Sequence, residues 1–182
     1  MNLVDLTAKR ILVTGASSGI GRACAVTASQ LGASVVLTGR RADALADTLR
    51  QMENQDRHLI FPCDICDSSA VAELVKKGGK IDGLVHAAGI GPMCPIGFVD
   101  EDHIQSVMKT NYLAFLELMK HYSKAKNRAD RLSVVAVSSV SAIAGWGGIV
   151  AYCGSKGALS ASVRALAIEL APKGIRVNAV CP

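Results

Sequence analysis

Short runs of hydrophobic residues alternate with amphipathic segments along the whole chain. Most of these runs are continuously apolar and do not alternate apolar with polar residues. Such runs are typical of strands buried on both faces. The predicted strands are Arg10–Thr14, Ser34–Thr38, Leu59–Pro62, Gly83–Ala87, Leu132–Ser138 and Arg176–Val180.

Helical patterns fill the intervals between these runs. The first helix opens at Gly19, where apolar or small residues recur at helical spacing as far as Leu31. Strands that alternate with helices indicate βαβ units. We therefore expect an α/β fold, a doubly wound parallel sheet with helices on both faces, in one domain over residues 1–182. The further predicted helices are Arg41–Glu53, Ser68–Lys77, Asp100–Lys124 and Tyr152–Pro172.

Composition narrows the range of partners. The net charge is +5 and the pI is 9.0, which suits an anionic ligand such as a phosphorylated cofactor, although solvated surfaces commonly carry such a charge. No basic run is interleaved with aromatic residues, so a nucleic-acid partner is not expected.

Membrane insertion and secretion are also not expected. Residues 1–10 contain an Asp and no hydrophobic stretch after a basic start, and the six cysteines are interpreted as free thiols of a cytoplasmic protein. The segment Leu132–Ser155 is uncharged, but its five serines and four glycines fit a strand followed by a loop better than a membrane span.

Cys63 and Cys66 form a C-x-x-C pair, which admits a metal or redox site as an alternative function. There is no second pair and no histidine at a useful spacing. Buried structural thiols are therefore favoured, and no metal is expected.

A glycine-rich turn, Thr14-Gly15-Ala16-Ser17-Ser18-Gly19-Ile20-Gly21, joins the first predicted strand to the first helix. Gly15 permits a tight exit from the strand, Gly19 permits close approach of a phosphate, and Gly21 permits the helix to pack near the sheet. The helix N-terminus offers free N–H groups to a pyrophosphate. The turn therefore predicts dinucleotide binding through Gly15, Ser17, Ser18, Gly19, Ile20 and Gly21.

This spacing resembles the T-G-x-x-x-G-I-G pattern of the short-chain dehydrogenase/reductase family, and it matches every fixed position. The resemblance implies a Rossmann-type fold and hydride transfer between a nicotinamide cofactor and a carbonyl or alcohol. Small-molecule ketones or alcohols are the implied substrates, and the 3-oxoacyl-carrier-protein reductases are the nearest type.

The end of the second strand bears on the choice of cofactor. Gly39 occupies the place where an NAD enzyme carries an acidic residue, and Arg40 and Arg41 follow it. An arginine pairs with a 2′-phosphate, whereas an acidic residue repels it. NADP(H) is therefore preferred and NAD(H) is possible. The alternative is that the arginines only begin a solvated helix.

Three more segments resemble cofactor-binding parts of the family. By this resemblance, Asp64 and Ile65 lie beside the adenine of the cofactor, although Asp64 could equally be an N-cap of the next helix. His86-Ala87-Ala88-Gly89 resembles N-N-A-G, with His86 in place of an asparagine. Pro182 closes a stretch that resembles R-V-N-x-(I/V)-x-P-G, and we assign it to the cofactor as well.

Tyr152 and Lys156 lie four residues apart and should share one helix face. An ammonium close to a phenol favours the phenolate, so the pair could act as an acid and base; a ring packed under a lysine stem is the alternative. Ser139 lies at the predicted fifth strand's carboxyl end, where open α/β sheets bind ligands.

The resemblance assigns roles to four residues. Ser139 holds the substrate oxygen, Tyr152 exchanges its proton, and Lys156 lowers the pKa of Tyr152 and binds the nicotinamide ribose. Asn111 takes part in a proton relay. Tyr152 and Lys156 thus belong to both the catalytic and the cofactor-binding sets.

The family likeness also concerns assembly and chain length. It implies a homodimer or homotetramer formed through the helices predicted over Asp100–Lys124 and Tyr152–Pro172. It further implies a substrate loop and a last strand after Pro182. The competing hypothesis is a non-catalytic NADP-sensing or regulatory protein, which would keep the glycine-rich turn and lose the four catalytic residues.

Overall fold

The computed structural model describes residues 4–182. Its six strands are β1 (Arg10–Thr14), β2 (Ser34–Gly39), β3 (Leu59–Pro62), β4 (Ile81–His86), β5 (Arg128–Val137) and β6 (Ile175–Val180). They form one parallel sheet in the order β3-β2-β1-β4-β5-β6. The order reverses between β1 and β4, and ligands of such sheets bind outside the carboxyl ends of the strands at this point. The doubly wound parallel sheet is confirmed.

Helices pack on both faces of the sheet. They are α1 (Gly19–Gln30), α2 (Ala42–Arg50), α3 (Ser68–Gly78), α4 (Glu101–Met108), α5 (Ala114–Tyr122) and α6 (Val150–Leu170). On one side α1 and α2 pack against residues such as Val13 and Leu37. On the other side α3, α5 and α6 pack against Leu12 and Val134. Successive strand residues enter different cores, which explains the absence of polar alternation.

The helix predicted over Asp100–Lys124 is interrupted. A π-helical turn, Lys109–Leu113, joins α4 to α5 and contains Asn111. Nothing in the hydrophobic period marks this turn, because its residues continue an ordinary helical pattern. Single π-turns inside helices frequently occur at functional sites.

The other differences from the sequence prediction lie at element ends. Strand β5 begins at Arg128, earlier than the predicted Leu132, and α6 begins at Val150, before Tyr152. Tyr152 therefore lies in the first turn of α6. Over residues 4–182, no helix combines the length and apolar character that crossing a membrane requires.

Candidate active site

The carboxyl ends of the strands around the β1–β4 reversal open into a cleft of about 630 Å³. Most residues predicted to bind the cofactor line it together. They are Gly15, Ser17, Ser18, Gly19, Ile20, Gly21, Arg40, Arg41, Asp64, Ile65, Ala87, Ala88 and Gly89.

The structure gives a different reason for glycine at each of three positions in the turn Thr14–Gly21. Gly15 has φ +66° and packs so closely on the end of β4 that a Cβ would lie 2.8 Å from the Ala88 nitrogen. Gly19 has φ +53° and no heavy atom within 4 Å of its Cβ position, so the space beside it is open. A Cβ on Gly21 would lie 2.2 Å from the Gly15 oxygen, so α1 packs against the turn itself.

A contact that the sequence did not reveal fixes this turn against α2. The Arg22 guanidinium donates to the Ser17 carbonyl at 2.6 Å and to Thr48 Oγ1 at 3.0 Å. The Thr48 hydroxyl donates in turn to the Ala16 carbonyl at 2.8 Å. The glycine-rich turn is therefore held against the helix that follows Arg41.

Arg40 and Arg41 lie at the rim of the cleft, where β2 passes into α2. Both side chains are exposed, and within residues 4–182 neither one forms a salt bridge. Gly39 precedes them, and its Cβ position lies in ordinary van der Waals contact with Ser17 Oγ at 3.6 Å. Both cations can therefore meet an anion in the cleft.

Asp64 accepts a hydrogen bond from the Cys66 nitrogen at 2.9 Å and closes the turn that follows β3. The N-cap of α3 is instead Asp67, whose carboxylate accepts from the Ser69 and Ala70 nitrogens. The alternative interpretation of Asp64 as an N-cap is therefore wrong.

His86 is fully buried and does not line the cleft, unlike Ala87, Ala88 and Gly89. Its Nδ1 lies 3.1 Å from Thr14 Oγ1, and its ring centroid is 5.3 Å from that of Phe115 in α5. The side chain points from the end of β4 into the core beneath the cleft. Burial, together with the Lys156 ammonium, lowers the pKa of His86 to about 3, so the ring is neutral.

Lys156 is also buried, and its Nζ donates to the Val137 carbonyl at 2.7 Å. The same Nζ lies 5.7 Å from the centroid of the Tyr152 ring and 3.5 Å from the Cβ position of Gly89. Burial lowers the pKa of Lys156 to about 8. The structure thus brings the predicted pair together at the end of β5, beside the loop that follows β4.

Asn111 anchors that loop. Its Oδ1 accepts from the Ile90 nitrogen at 2.8 Å, and its Nδ2 donates to the Ile90 carbonyl at 2.8 Å and to Ser155 Oγ at 2.9 Å. The Ser155 hydroxyl donates to the Tyr152 carbonyl at 2.7 Å. Asn111 therefore connects the π-turn, the β4–α4 loop and the first turn of α6.

The two serines at the end of β5 have different environments. Ser138 Oγ lies 2.7 Å from Ser160 Oγ and 3.2 Å from the Lys156 carbonyl, so it is bound to α6. Ser139 Oγ accepts only a local bond, from the Ser141 nitrogen at 3.1 Å. Pro182 is close by, since its carbonyl accepts from the Val140 nitrogen at 2.9 Å.

The C-x-x-C pair lines the cleft as two free thiols. Cys63 Sγ lies 3.2 Å from Thr38 Oγ1, and Cys66 Sγ lies 3.5 Å from Thr110 Oγ1. Burial raises the pKa of both thiols. In the part of the chain that the structure describes, no cluster of three or more His, Cys, Asp or Glu could hold a metal.

Sequence reasoning missed one wall of the cleft. The π-turn and the end of α4 contribute Ser106, Lys109 and Thr110, and the loop after β4 adds Ile90. Lys109 and Thr110 directly precede Asn111 in the sequence. However, only the wide turn shows that these two side chains reach the cleft.

Residues 9–182 match the family model described as short chain dehydrogenase. The chain belongs to the short-chain dehydrogenase family. It is therefore an oxidoreductase of the class that interconverts alcohol and carbonyl groups, as the motifs predicted.

Named relatives agree with this membership. This short-chain dehydrogenase is 34% identical over 184 residues to the 3-oxoacyl-[acyl-carrier-protein] reductase FabG of Rickettsia conorii, covering 99% of this chain and 74% of the relative. It is 36% identical to the 3beta-hydroxysteroid dehydrogenase of Mediterraneibacter gnavus, covering 96% of this chain and 65% of the relative. A dehydrogenase/reductase structure from Sinorhizobium meliloti 1021 has a TM-score of 0.92 at 30% identity, covering 98% of this chain and 73% of that one.

Proposed function

We propose that this short-chain dehydrogenase is an NADP(H)-dependent ketone reductase of the 3-oxoacyl-carrier-protein reductase type. One observation carries the proposal: the buried Lys156 ammonium lies beside the Tyr152 ring and next to Gly89, the last predicted cofactor residue of the cleft. An acid/base pair thus adjoins the end of a dinucleotide-sized cleft. The curated 3-oxoacyl reductase at 34% identity supports the substrate type.

The cleft fits a phosphorylated dinucleotide. The open space at Gly19 and the N-terminus of α1 would receive the pyrophosphate, and Asp64 with Ile65 would flank the adenine. Arg40 and Arg41 would pair with a 2′-phosphate, because no carboxylate occupies the end of β2. Lys156 and Tyr152 would hold the nicotinamide ribose, and Pro182 would lie at the nicotinamide end. When bound, the nicotinamide supplies the hydride.

The protein groups handle the substrate oxygen. Ser139 Oγ has only one local bond and can donate to that oxygen. As negative charge develops on the oxygen, the Tyr152 hydroxyl transfers its proton to it. The fixed Lys156 ammonium, 5.7 Å from the ring, stabilises the phenolate that remains.

Asn111 and His86 act on the site through the backbone. Both Nδ2 hydrogens of Asn111 are already used, so a relay water would bond to Oδ1 or to backbone beside it. His86 would support the cofactor through Thr14, whose Oγ1 also accepts from the Ala88 nitrogen at 3.2 Å. His86 is thus a supporting residue of the cleft wall.

The proposed enzyme also has expected partners and an expected location in the cell. The enzyme acts on a small-molecule carbonyl or alcohol in the cytoplasm and needs neither nucleic acid nor membrane. It assembles as a homodimer or homotetramer through the α4–α5 unit and α6. Exposed Ile104, Leu113 and Ile168 on these helices support that surface.

A binding titration followed by a turnover assay tests the proposal. NADPH and NADH are titrated into the protein while the fluorescence of the reduced nicotinamide is followed, and ketones are then added. Tighter NADPH binding with ketone-dependent NADPH oxidation supports it. Equal or tighter NADH binding contradicts the cofactor assignment, and NADPH binding without turnover favours the regulatory alternative.

A further inference from the structure

We propose that the amino ends of β4 and β5 form an anion site, separate from the cleft, that binds a small molecule carrying two or more phosphate groups. The cleft opens at the carboxyl ends of the strands, so this site lies at the opposite end of the sheet. The inference concerns a second ligand and does not depend on the proposed ketone reduction. We call the site the basic end. It consists of residues 76–80, which lead into β4, and residues 124–131, which include the start of β5.

The positive charge of the protein is concentrated at the basic end. These 13 residues contain seven Lys and Arg and one carboxylate, a net charge of +6, whereas the whole chain has a net charge of +5. Six of the seven cations are exposed, and within residues 4–182 none of the seven forms a salt bridge. An anion bound among them would relieve their mutual repulsion. The cations are Lys76, Lys77, Lys80, Lys124, Lys126, Arg128 and Arg131, and the carboxylate is Asp130.

Strand pairing brings the two segments of the basic end together. Ile81, which directly follows Lys80, is the register partner of Arg128. The ends of α3 and α5 also meet, since the Cβ position of Gly78 lies 3.9 Å from the hydroxyl of Tyr122, the last residue of α5. Lysines from both segments therefore lie around the start of the β4–β5 pair.

A long bulge in β5 holds Arg128 at this place. Between the register pairs at Arg128 and Ser133, β5 advances by five residues while β4 advances by two. Nη1 of Arg128 donates to two carbonyls of the bulge, that of Ala129 at 2.9 Å and that of Asp130 at 3.0 Å. The guanidinium is therefore fixed by the backbone. Bulges commonly re-aim side chains beside functional sites.

Arg128 is a buried cation without a counter-charge. The residue is 7% exposed, and its Nε has no hydrogen-bond partner within residues 4–182. Over the same residues, no carboxylate lies within 4 Å of the guanidinium. A buried charge is costly unless an opposite charge compensates it. The planar guanidinium matches the geometry of a phosphate, so a phosphate is the anion that this side chain would bind best.

The residue types of the basic end favour a small ligand over a macromolecule. Residues 76–80 and 124–131 include no Phe, Trp, Tyr, Leu, Ile, Val or Met. Protein interfaces depend on aromatic anchors, and single-stranded nucleic acids stack their bases on aromatic rings. The basic end offers charge without such anchors. Because one phosphate carries about two negative charges, the excess of positive charge suits a ligand with two or more.

Isothermal titration calorimetry with sodium tripolyphosphate tests the site. The titration is made at about 0.15 M salt, where charges more than about 8 Å apart are largely screened. The protein carries Arg40→Ala and Arg41→Ala, because these two arginines give the cleft its own attraction for anions. We expect one tripolyphosphate per chain, and Arg128→Gln should weaken binding by about 10-fold or more. The absence of binding, or binding that Arg128→Gln leaves unchanged, overturns the inference.

Exposed positions make the test independent of the folding role of Arg128. Lys80→Gln and Lys126→Gln should each weaken tripolyphosphate binding by roughly 2- to 5-fold, and Asp130→Asn should strengthen it by a similar factor because it removes the carboxylate. The matched control is Arg57→Gln, since Arg57 is exposed and precedes β3, three strands away from β4. A control that weakens binding as much as the lysine variants do, or an Asp130→Asn variant without effect, overturns the site.

Vesicle sedimentation at the same salt separates a free phosphorylated ligand from a lipid headgroup. Phosphatidylglycerol vesicles serve as the probe, and we expect the protein to remain in the supernatant while it still binds tripolyphosphate. Sedimentation with the vesicles that Lys80→Gln and Lys126→Gln abolish, without tripolyphosphate binding, would assign the basic end to a membrane surface and overturn the small-molecule ligand.

Discussion

Nζ of Lys156 donates to the carbonyl of Val137 at 2.7 Å. This bond joins the first two turns of α6 to the end of β5, two residues before Ser139. The charge beside Tyr152 is therefore positioned by the fold before any ligand arrives. A fixed charge needs no reorganisation as the reaction proceeds, which is the main source of electrostatic catalysis.

The pH dependence of turnover should report this lysine. Burial lowers the pKa of Lys156 to about 8, so the ammonium form predominates below pH 8 and is lost above it. We expect kcat/KM for ketone reduction to fall as the pH rises through about 8. The measurement is a pH–rate profile from pH 6 to 10.

Lys156→Arg provides the control for that profile, because a guanidinium remains charged throughout the range. Its residual activity should show no alkaline decline near pH 8. An unchanged decline in the arginine variant would assign the titration to another group.

His86 should make folding sensitive to mild acid. Burial holds its pKa near 3 against an ordinary value of 6.5, so the unfolded chain takes up a proton below pH 6.5 that the folded chain refuses. Stability is therefore complete above pH 6.5 and declines as the pH falls toward 3. By linkage, the free energy of unfolding should drop by roughly 2 kcal/mol between pH 7.5 and pH 5.

Urea unfolding at these two pH values measures that drop, and His86→Asn is the matched variant. Asparagine cannot titrate, so most of the decrease in the free energy of unfolding between pH 7.5 and pH 5 should be absent from this variant. Equal pH dependence in the two proteins would assign the effect to other groups.

Asn111 should support both stability and catalysis. Asn111→Leu leaves the backbone N–H and carbonyl of Ile90 without their partners, and each such loss costs about 1–3 kcal/mol when the group is buried. Since Ile90 is half-buried, we expect unfolding to become easier by roughly 2 kcal/mol. We also expect kcat to fall more than KM rises, because the loop beside Tyr152 loses its anchor.

Tyr112→Phe is the control in the same π-turn, since it removes only a hydroxyl that lies 3.0 Å from Ser162 Oγ. Its kcat should stay within about twofold of the wild type, because a single half-exposed hydrogen bond contributes little. If Tyr112→Phe lowered kcat as much as Asn111→Leu does, the loss of activity would come from disturbing the π-turn and not from removing the Asn111 amide.

The arginine pair should select the cofactor. Replacing Arg40 and Arg41 together by alanine removes the cations that face the cleft rim, and bonds to charged groups contribute about 1.5–3 kcal/mol. We expect NADPH affinity to fall by roughly 10- to 100-fold, with little change for NADH. Arg50→Ala, an exposed arginine at the far end of α2, should change neither value.

The sequence predicted those parts of the site that depend on local conformation. Gly15 and Gly19 could be recognised because a turn out of a strand needs positive φ at fixed spacing, and the structure has both. Tyr152 and Lys156 could be paired because four residues make one helical turn. These relationships need no knowledge of distant segments.

The rest of the site depends on tertiary contacts that no local pattern contains. The π-turn Lys109–Leu113 contains Asn111, whose amide binds the backbone of Ile90. The helical spacing of apolar residues does not indicate this turn. The direction of His86 was not predictable either, because the buried residues of β4, Ile81, Leu84 and His86, fall on both faces of the strand and do not alternate with exposed ones. Arg22 reaches Thr48 across 26 positions of the chain.

Tyr152 is proposed to supply the proton for ketone reduction, and Tyr152→Phe is the decisive variant for this role. The measurement is NADPH oxidation at pH 7 with a ketone that the wild-type protein reduces, together with an NADPH titration of the same variant. We expect kcat to fall by about 10²–10⁴-fold, the usual contribution of an acid/base group, while NADPH binding changes by less than about threefold. A variant that binds NADPH and reduces the ketone at the wild-type rate would contradict the assignment.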